Sequence, residues 1–241
     1  MGNISSKSSS TLENGILRIR FALTLVPKDS TKNIKFDRQN GPHITLVSVF
    51  TDNPDENFPT FCQNIVDEIG KSLTLVTDLE DNKDYIVNNK HEQIPVEISW
   101  KDVWTSKTLL MASLELDDQT VRIMNELSVK IVEMFEQSHY NMLGEDRSNP
   151  NYSWVYEYPK DVQEKKFSWL EKIGDANFLS PNKHVTINYN IDPTKTLQEN
   201  CQELGINPDT KYVVAIDGVC VSKTDILGRL LLEYLYKFLF E

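Results

Sequence analysis

The chain has 241 residues, enough for one large domain or two small ones, and 39% hydrophobic with 10% aromatic content supports a true core and excludes wholesale disorder. A net charge of −11 and an isoelectric point near 4.9 argue against a non-specific binder of long duplex DNA or RNA, because that affinity comes from Lys and Arg neutralising phosphates. A small nucleotide or a short RNA end is the better expectation for a partner. No segment is long and apolar enough to span a membrane; the most apolar stretch, Leu230 to Phe240, is short and interrupted by Glu233 and Lys237.

Residues 1–14 read as a flexible, Ser-rich arm. Gly2 and Ser6 match the N-myristoylation pattern, in which the lipid is joined to the glycine amine freed by removal of Met1. One myristoyl chain gives only weak, reversible membrane association. The expected location is therefore the cytoplasm, peripheral at membranes through Gly2. Cys62, Cys201 and Cys220 have no metal spacing and read as reduced, buried thiols, in keeping with that compartment.

Ile16 to Val26 alternates around Arg18 and Arg20 and predicts the first strand. A polar segment, Pro27 to Gly41, leads to a second strand, His43 to Phe50. Phe58 to Leu73 places Phe61, Ile65, Ile69 and Leu73 on one helical face. Leu73 to Leu79 predicts a strand followed by a charged hairpin or loop. Strands are expected at Pro95 to Trp100 and Thr108 to Leu116, the latter with Leu110, Ala112, Leu114 and Leu116 on one face. Asp117 and Asp118 open a helix to about Gln137, with Val121, Met124, Leu127, Ile131 and Met134 toward the core. Residues 141–181 form a long irregular insert with a possible helix at Lys160 to Ile173. A strand at His184 to Asn190, a short helix at Leu197 to Leu204 and a strong strand at Tyr212 to Val221 follow. Ile226 to Phe240 suits helix or strand, with helix the expectation.

Two of these strands carry the same string. His43-Ile44-Thr45-Leu46 and His184-Val185-Thr186-Ile187 both read His-apolar-Thr-apolar, 141 residues apart. In an extended strand the apolar pair faces a core, while His and Thr point together to the other side. Two such strands side by side would present two imidazoles and two hydroxyls to one small volume. The remaining histidines, His91 and His139, read as surface or helix-end groups. Asp78, Glu80, Asp81 and Asp84 read as a solvated face. There is no Walker loop, GxSxG elbow, HExxH string or GxGxxG turn. Tyr152, Trp154, Tyr156 and Tyr158 alternate in the insert, where they can stack on a base or seal the insert onto the core.

Paired His-apolar-Thr strands, one per half of a mid-sized chain, resemble the 2H phosphoesterase superfamily of LigT-like proteins, cyclic phosphodiesterases and 2′,5′-phosphodiesterases. The resemblance covers roughly Ile16 to Val221, including the opening strand RFALTLVP and the late strand VVAIDGVCVSK. It implies an α+β fold over residues 15–241: one bilobal, pseudo-symmetric domain with two antiparallel sheets lining a central cleft and helices outside. It implies His43 and His184 as catalytic residues and Thr45 and Thr186 as substrate phosphate-binding residues. The segment between the first strand and the first motif is shorter than in many relatives, and the insert at 141–181 leaves substrate choice open.

The implied function is a metal-independent phosphodiesterase that opens a 2′,3′-cyclic phosphate or cuts a 2′,5′ linkage by two-histidine acid–base catalysis, with no cofactor and no metal. The alternative is a membrane-tethered nucleotide-binding module with little or no turnover. Substrate identity, product regiochemistry, the division of acid and base between the histidines, and oligomeric state are not legible in the sequence.

Overall fold

The computed structural model describes residues 17–36, 42–106, 108–141, 183–207, 210–224 and 231–240. The arm with Gly2 and nearly all of the insert, including Tyr152, Trp154, Tyr156, Tyr158 and the expected helix at 160–173, lie outside the described residues. Among the described residues the architecture is mixed α+β. Its strands are β1 (Leu17–Pro27), β2 (His43–Thr51), β3 (Leu73–Asp78), β4 (Lys83–Asn88), β5 (Gln93–Pro95), β6 (Glu97–Ser106), β7 (Leu109–Leu114), β8 (His184–Asn188), β9 (Val213–Thr224) and β10 (Leu231–Leu239). The helices are α1 (Phe58–Lys71), α2 (Asp118–Glu136) and α3 (Leu197–Glu203).

Seven strands form one antiparallel sheet in the order β1-β2-β8-β7-β6-β9-β10, and a further β1–β9 pairing closes the first six into a barrel. Two separate sheets facing a cleft were expected; the motif strands instead belong to one closed sheet. The closure is uneven: β2 meets β8 at a single residue pair, Ile44 with Val185, and β6 meets β9 at three. A second, small sheet of β3, β4 and β5 stands apart.

The alternation of β1 decides which face is which. Ile19, Phe21, Leu23 and Leu25 are buried on one side, and Arg18, Arg20, Ala22 and Thr24 point to the other. The apolar side meets the helices: the Phe21 ring lies 5.9 Å from Phe135 of α2, edge to face, and Ser128 of α2 donates to the Leu46 carbonyl at 3.0 Å. A six-stranded barrel is too narrow to enclose a helix. The helices therefore lie outside, and the face carrying Arg18 and Arg20 is the barrel interior.

Asp117 caps α2, its carboxylate accepting from the Thr120 amide at 2.6 Å. The buried stripe of α2 is Ile123, Met124, Leu127, Ile131, Val132 and Phe135, and Val121 and Met134 are only half-buried. The stripe is thus rotated from the expected one, drawn round by the Phe135 ring, which also touches Phe58 and Phe61 of α1. In α3, Thr196 and Glu199 form a reciprocal capping box.

The C-terminal segment is a correction. Leu231–Leu239 is a strand paired with β9, not a helix. A nearly continuous apolar run has no decisive period. The aromatics Tyr236 and Phe238, two residues apart, suit a pleated surface, and the edge of β9 supplies the partner. The strands approach so closely at Gly218 that a Cβ there would lie 2.1 Å from the Phe238 carbonyl oxygen, so only glycine fits.

Candidate functional site

On β2 the motif residues alternate as the string dictates. Ile44 and Leu46 are buried outward, and His43 and Thr45 face inward. A bulge follows: Phe21 pairs with Val47 and Ala22 with Thr45, so Leu46 is the extra residue and Ser48 returns to the inward face. On β8, Val185 and Ile187 are fully buried outward, while His184 and Thr186 face inward and are half-buried.

The pairing of Ile44 with Val185 fixes how the two motifs meet. In an antiparallel pair, stepping one residue either way sets His43 across from Thr186 and Thr45 across from His184. All four side chains lie on the same inward face, as the pairing of Met111 with Thr186 and Ser113 with His184 on the far side of β8 also requires. Each imidazole thus stands opposite a hydroxyl, and the two imidazoles lie on a diagonal, about 7–8 Å apart at the backbone. The two motifs, far apart in sequence, form one quartet.

Three neighbours were not anticipated. Arg20 on β1 donates from Nη1 to Nε2 of His43 at 2.9 Å, with both side chains buried. Arg18, two residues along the same face, donates to Ser48 at 3.3 Å and lies over the Phe50 ring. On β6, the Trp104 ring stands 6.0 Å from His184 at 69°, and its indole N–H donates to Ser113 at 3.0 Å. The sequence held a signal for the arginines: they alternate with apolar residues in a strand, and a charge there must sit on the face opposite the core. It could not show that this face is the motif face, which depends on β1 pairing with β2.

The electrostatics run against the whole chain. The protein carries a net charge of −11, yet β1 brings two guanidinium groups into the barrel. The nearby carboxylate Asp217, at the β9 bulge, is held by Thr24 at 2.5 Å and Lys237 at 2.7 Å. Guanidinium, imidazole and hydroxyl groups together suit an anion. Among the described residues no three His, Cys, Asp or Glu side chains are close enough to share a metal ion.

Rival nucleophiles fare poorly. Burial pushes the thiols of Cys62 and Cys220 up to about 12, and raises that of Cys201, so none offers thiolate at neutral pH. Burial pushes the Lys183 amine down to about 8, but alternation turns Lys183 away from the face of its neighbour His184. His91 sits in the β4–β5 turn at φ 61°, and His139 follows α2 beside Asp55 at 3.4 Å; neither joins the quartet. Asp81 and Asp84 bond to Tyr85 and Thr77 of the small hairpin, where Asp78 and Glu80 also lie.

Comparison of the chain with protein-family models and with curated proteins gave no match.

Proposed function

We propose that this protein is a metal-independent phosphodiesterase acting on a 2′,3′-cyclic phosphate or a 2′,5′-linked nucleotide. One observation carries the reading: the Ile44–Val185 pairing, from which both histidines and both threonines fall on one inward face. A phosphodiester opened by in-line attack needs a proton acceptor on the side of the incoming water and a donor on the side of the leaving ribose oxygen. Two imidazoles on a diagonal supply both, since neutral and protonated forms coexist near pH 7. Thr45 and Thr186 lie between them in register and donate to the non-bridging oxygens, where charge persists in the transition state. Arg18 and Arg20 add the positive field that draws the anion inward. Because the two rings handle both proton transfers, the step requires no metal and no cofactor. The resemblance to 2H phosphoesterases belongs to the same proposal. So does a bilobal reading of the barrel, with its two narrow seams as the boundary between a β2-β1-β9-β10 half and a β8-β7-β6 half.

The test is hydrolysis of 2′,3′-cyclic AMP and of a 2′,5′-linked adenylate dinucleotide by the purified protein in EDTA. Product in either arm is the expected result. Turnover that EDTA abolishes, or none together with no nucleotide binding, overturns the reading. The burial of His43 favours one other outcome, tight nucleotide binding without turnover, which would make the protein a binding module.

Membrane tethering rests on the Gly2 pattern alone. We expect co-expression with the myristoyl transferase to raise the intact mass by one myristoyl group after loss of Met1, and Gly2→Ala to prevent it.

A further inference from the structure

We infer that Arg20 sets the proton roles of the two histidines: His43 is the acceptor and His184 the donor. Arginine has only donors, so the 2.9 Å contact from its Nη1 requires Nε2 of His43 to be unprotonated and accepting. His43 is then neutral at rest, with its proton on Nδ1. A ring held this way cannot give a proton from Nε2; it can only take one. A fixed positive charge at hydrogen-bond distance also opposes formation of imidazolium there.

The surroundings of His43 keep that bias. Among the described residues, the charged groups that β1 adds to its face are Arg18 and Arg20. From β9 come Cys220, a neutral thiol, and Asp217, already held by Thr24 and by Lys237 of β10. From β8 comes His184, and from β7 the uncharged Met111 and Ser113. His184 has a different setting. It is half-buried, and the Trp104 ring stands 6.0 Å away, edge to face. With His43 held as the acceptor by Arg20, the donor role falls to the other imidazole of the pair, His184.

The second half of this inference rests on the phosphodiesterase reading. An arriving phosphate oxygen, being anionic, is a stronger acceptor than imidazole and draws the guanidinium to itself. That frees the Nε2 lone pair of His43. Water gives its proton to Nε2 as its oxygen forms the new P–O bond; the ribose P–O bond breaks and the leaving oxygen takes the proton of His184. One water is consumed, and solvent returns the proton from His43 to His184. Arg20 is thus a binding residue for the phosphate and a positioning residue for His43.

Histidine-selective ¹⁵N spectra of the full chain test the first half without reference to activity, with the His43 signals identified by their loss in His43→Gln. The expected pattern in the ligand-free protein at pH 7 is a neutral ring protonated on Nδ1. A ring protonated on Nε2, or on both nitrogens, overturns the inference. For the second half, Arg20→Met is expected to lower kcat/KM by about 10–100-fold, the loss of one charge-assisted contact. It should also move the acidic limb of the pH–rate profile to higher pH, because His43 then protonates more readily. Arg20→Lys, which keeps the charge, should restore the limb while recovering only part of the rate. A limb unmoved in Arg20→Met overturns the role assignment. Absence of turnover in the wild type would count against the phosphodiesterase reading alone, since the tautomer is read independently.

Discussion

His43→Gln and His184→Gln should each lower hydrolysis of a 2′,3′-cyclic nucleotide by about 10²–10⁴-fold, the usual worth of a positioned acid or base. Glutamine is the informative replacement at position 43. Its carbonyl can still accept from Arg20, whereas alanine would take that acceptor away from a buried guanidinium and cost stability as well as activity. His184 is half-buried where His43 is buried, so its replacement should cost less in thermal unfolding than that of His43. The wild-type profile should be bell-shaped, with the two limbs belonging to the coupled pair. His43→Gln should flatten the acidic limb and His184→Gln the alkaline one. The double variant should be little worse than either single variant, because groups acting in one concerted step are not additive. The deciding measurement is kcat/KM against pH for the three variants, with folding checked by circular dichroism. Near-normal rates in either single variant would remove two-histidine catalysis.

The sequence revealed the quartet but not its surroundings, and the reason is physical. A His-apolar-Thr-apolar string specifies its own facing, since alternation is a property of one strand. The same rule placed Leu110, Ala112 and Leu114 of β7 on one face, and the acidic start correctly opened α2. What a strand lies beside is set by long-range pairing. Arg20 reaches His43 only because β1 lies next to β2 with a bulge between them, and Trp104 reaches His184 only through β7. The same limit explains the closed barrel and β10. Pairing of β1 with both β2 and β9 is a tertiary fact, and Leu231–Leu239 takes strand form because β9 offers it an edge. The Phe135 stripe of α2 was missed for a related reason: helix periodicity gives a face only to within a residue or so, and the ring partners on α1 and β1 choose among the candidates.

Phe135→Ala should be the most destabilising single change on the outer side of the barrel. The ring is fully buried, 5.9 Å from Phe21, 6.2 Å from Phe58 and 5.0 Å from Phe61. Truncating a buried Phe costs about 3–5 kcal/mol, because the lost transfer free energy is joined by the cavity left between elements that cannot fully close. Against a total stability of about 5–15 kcal/mol that is a large fraction. Urea unfolding should show a lower midpoint at unchanged slope, and Phe135→Leu, which keeps much of the volume, should lose less. The effect on chemistry is expected to be different in kind. Phe135 lies behind the β1 face opposite Arg20, and α2 reaches the motif strand through Ser128, whose hydroxyl supports the Leu46 carbonyl at the β2 bulge. The variant that remains folded should therefore keep nearly wild-type kcat/KM per folded molecule. Lost activity at unchanged stability would mean that α2 shapes the anion face directly, and that the inside–outside division of the barrel is drawn wrongly.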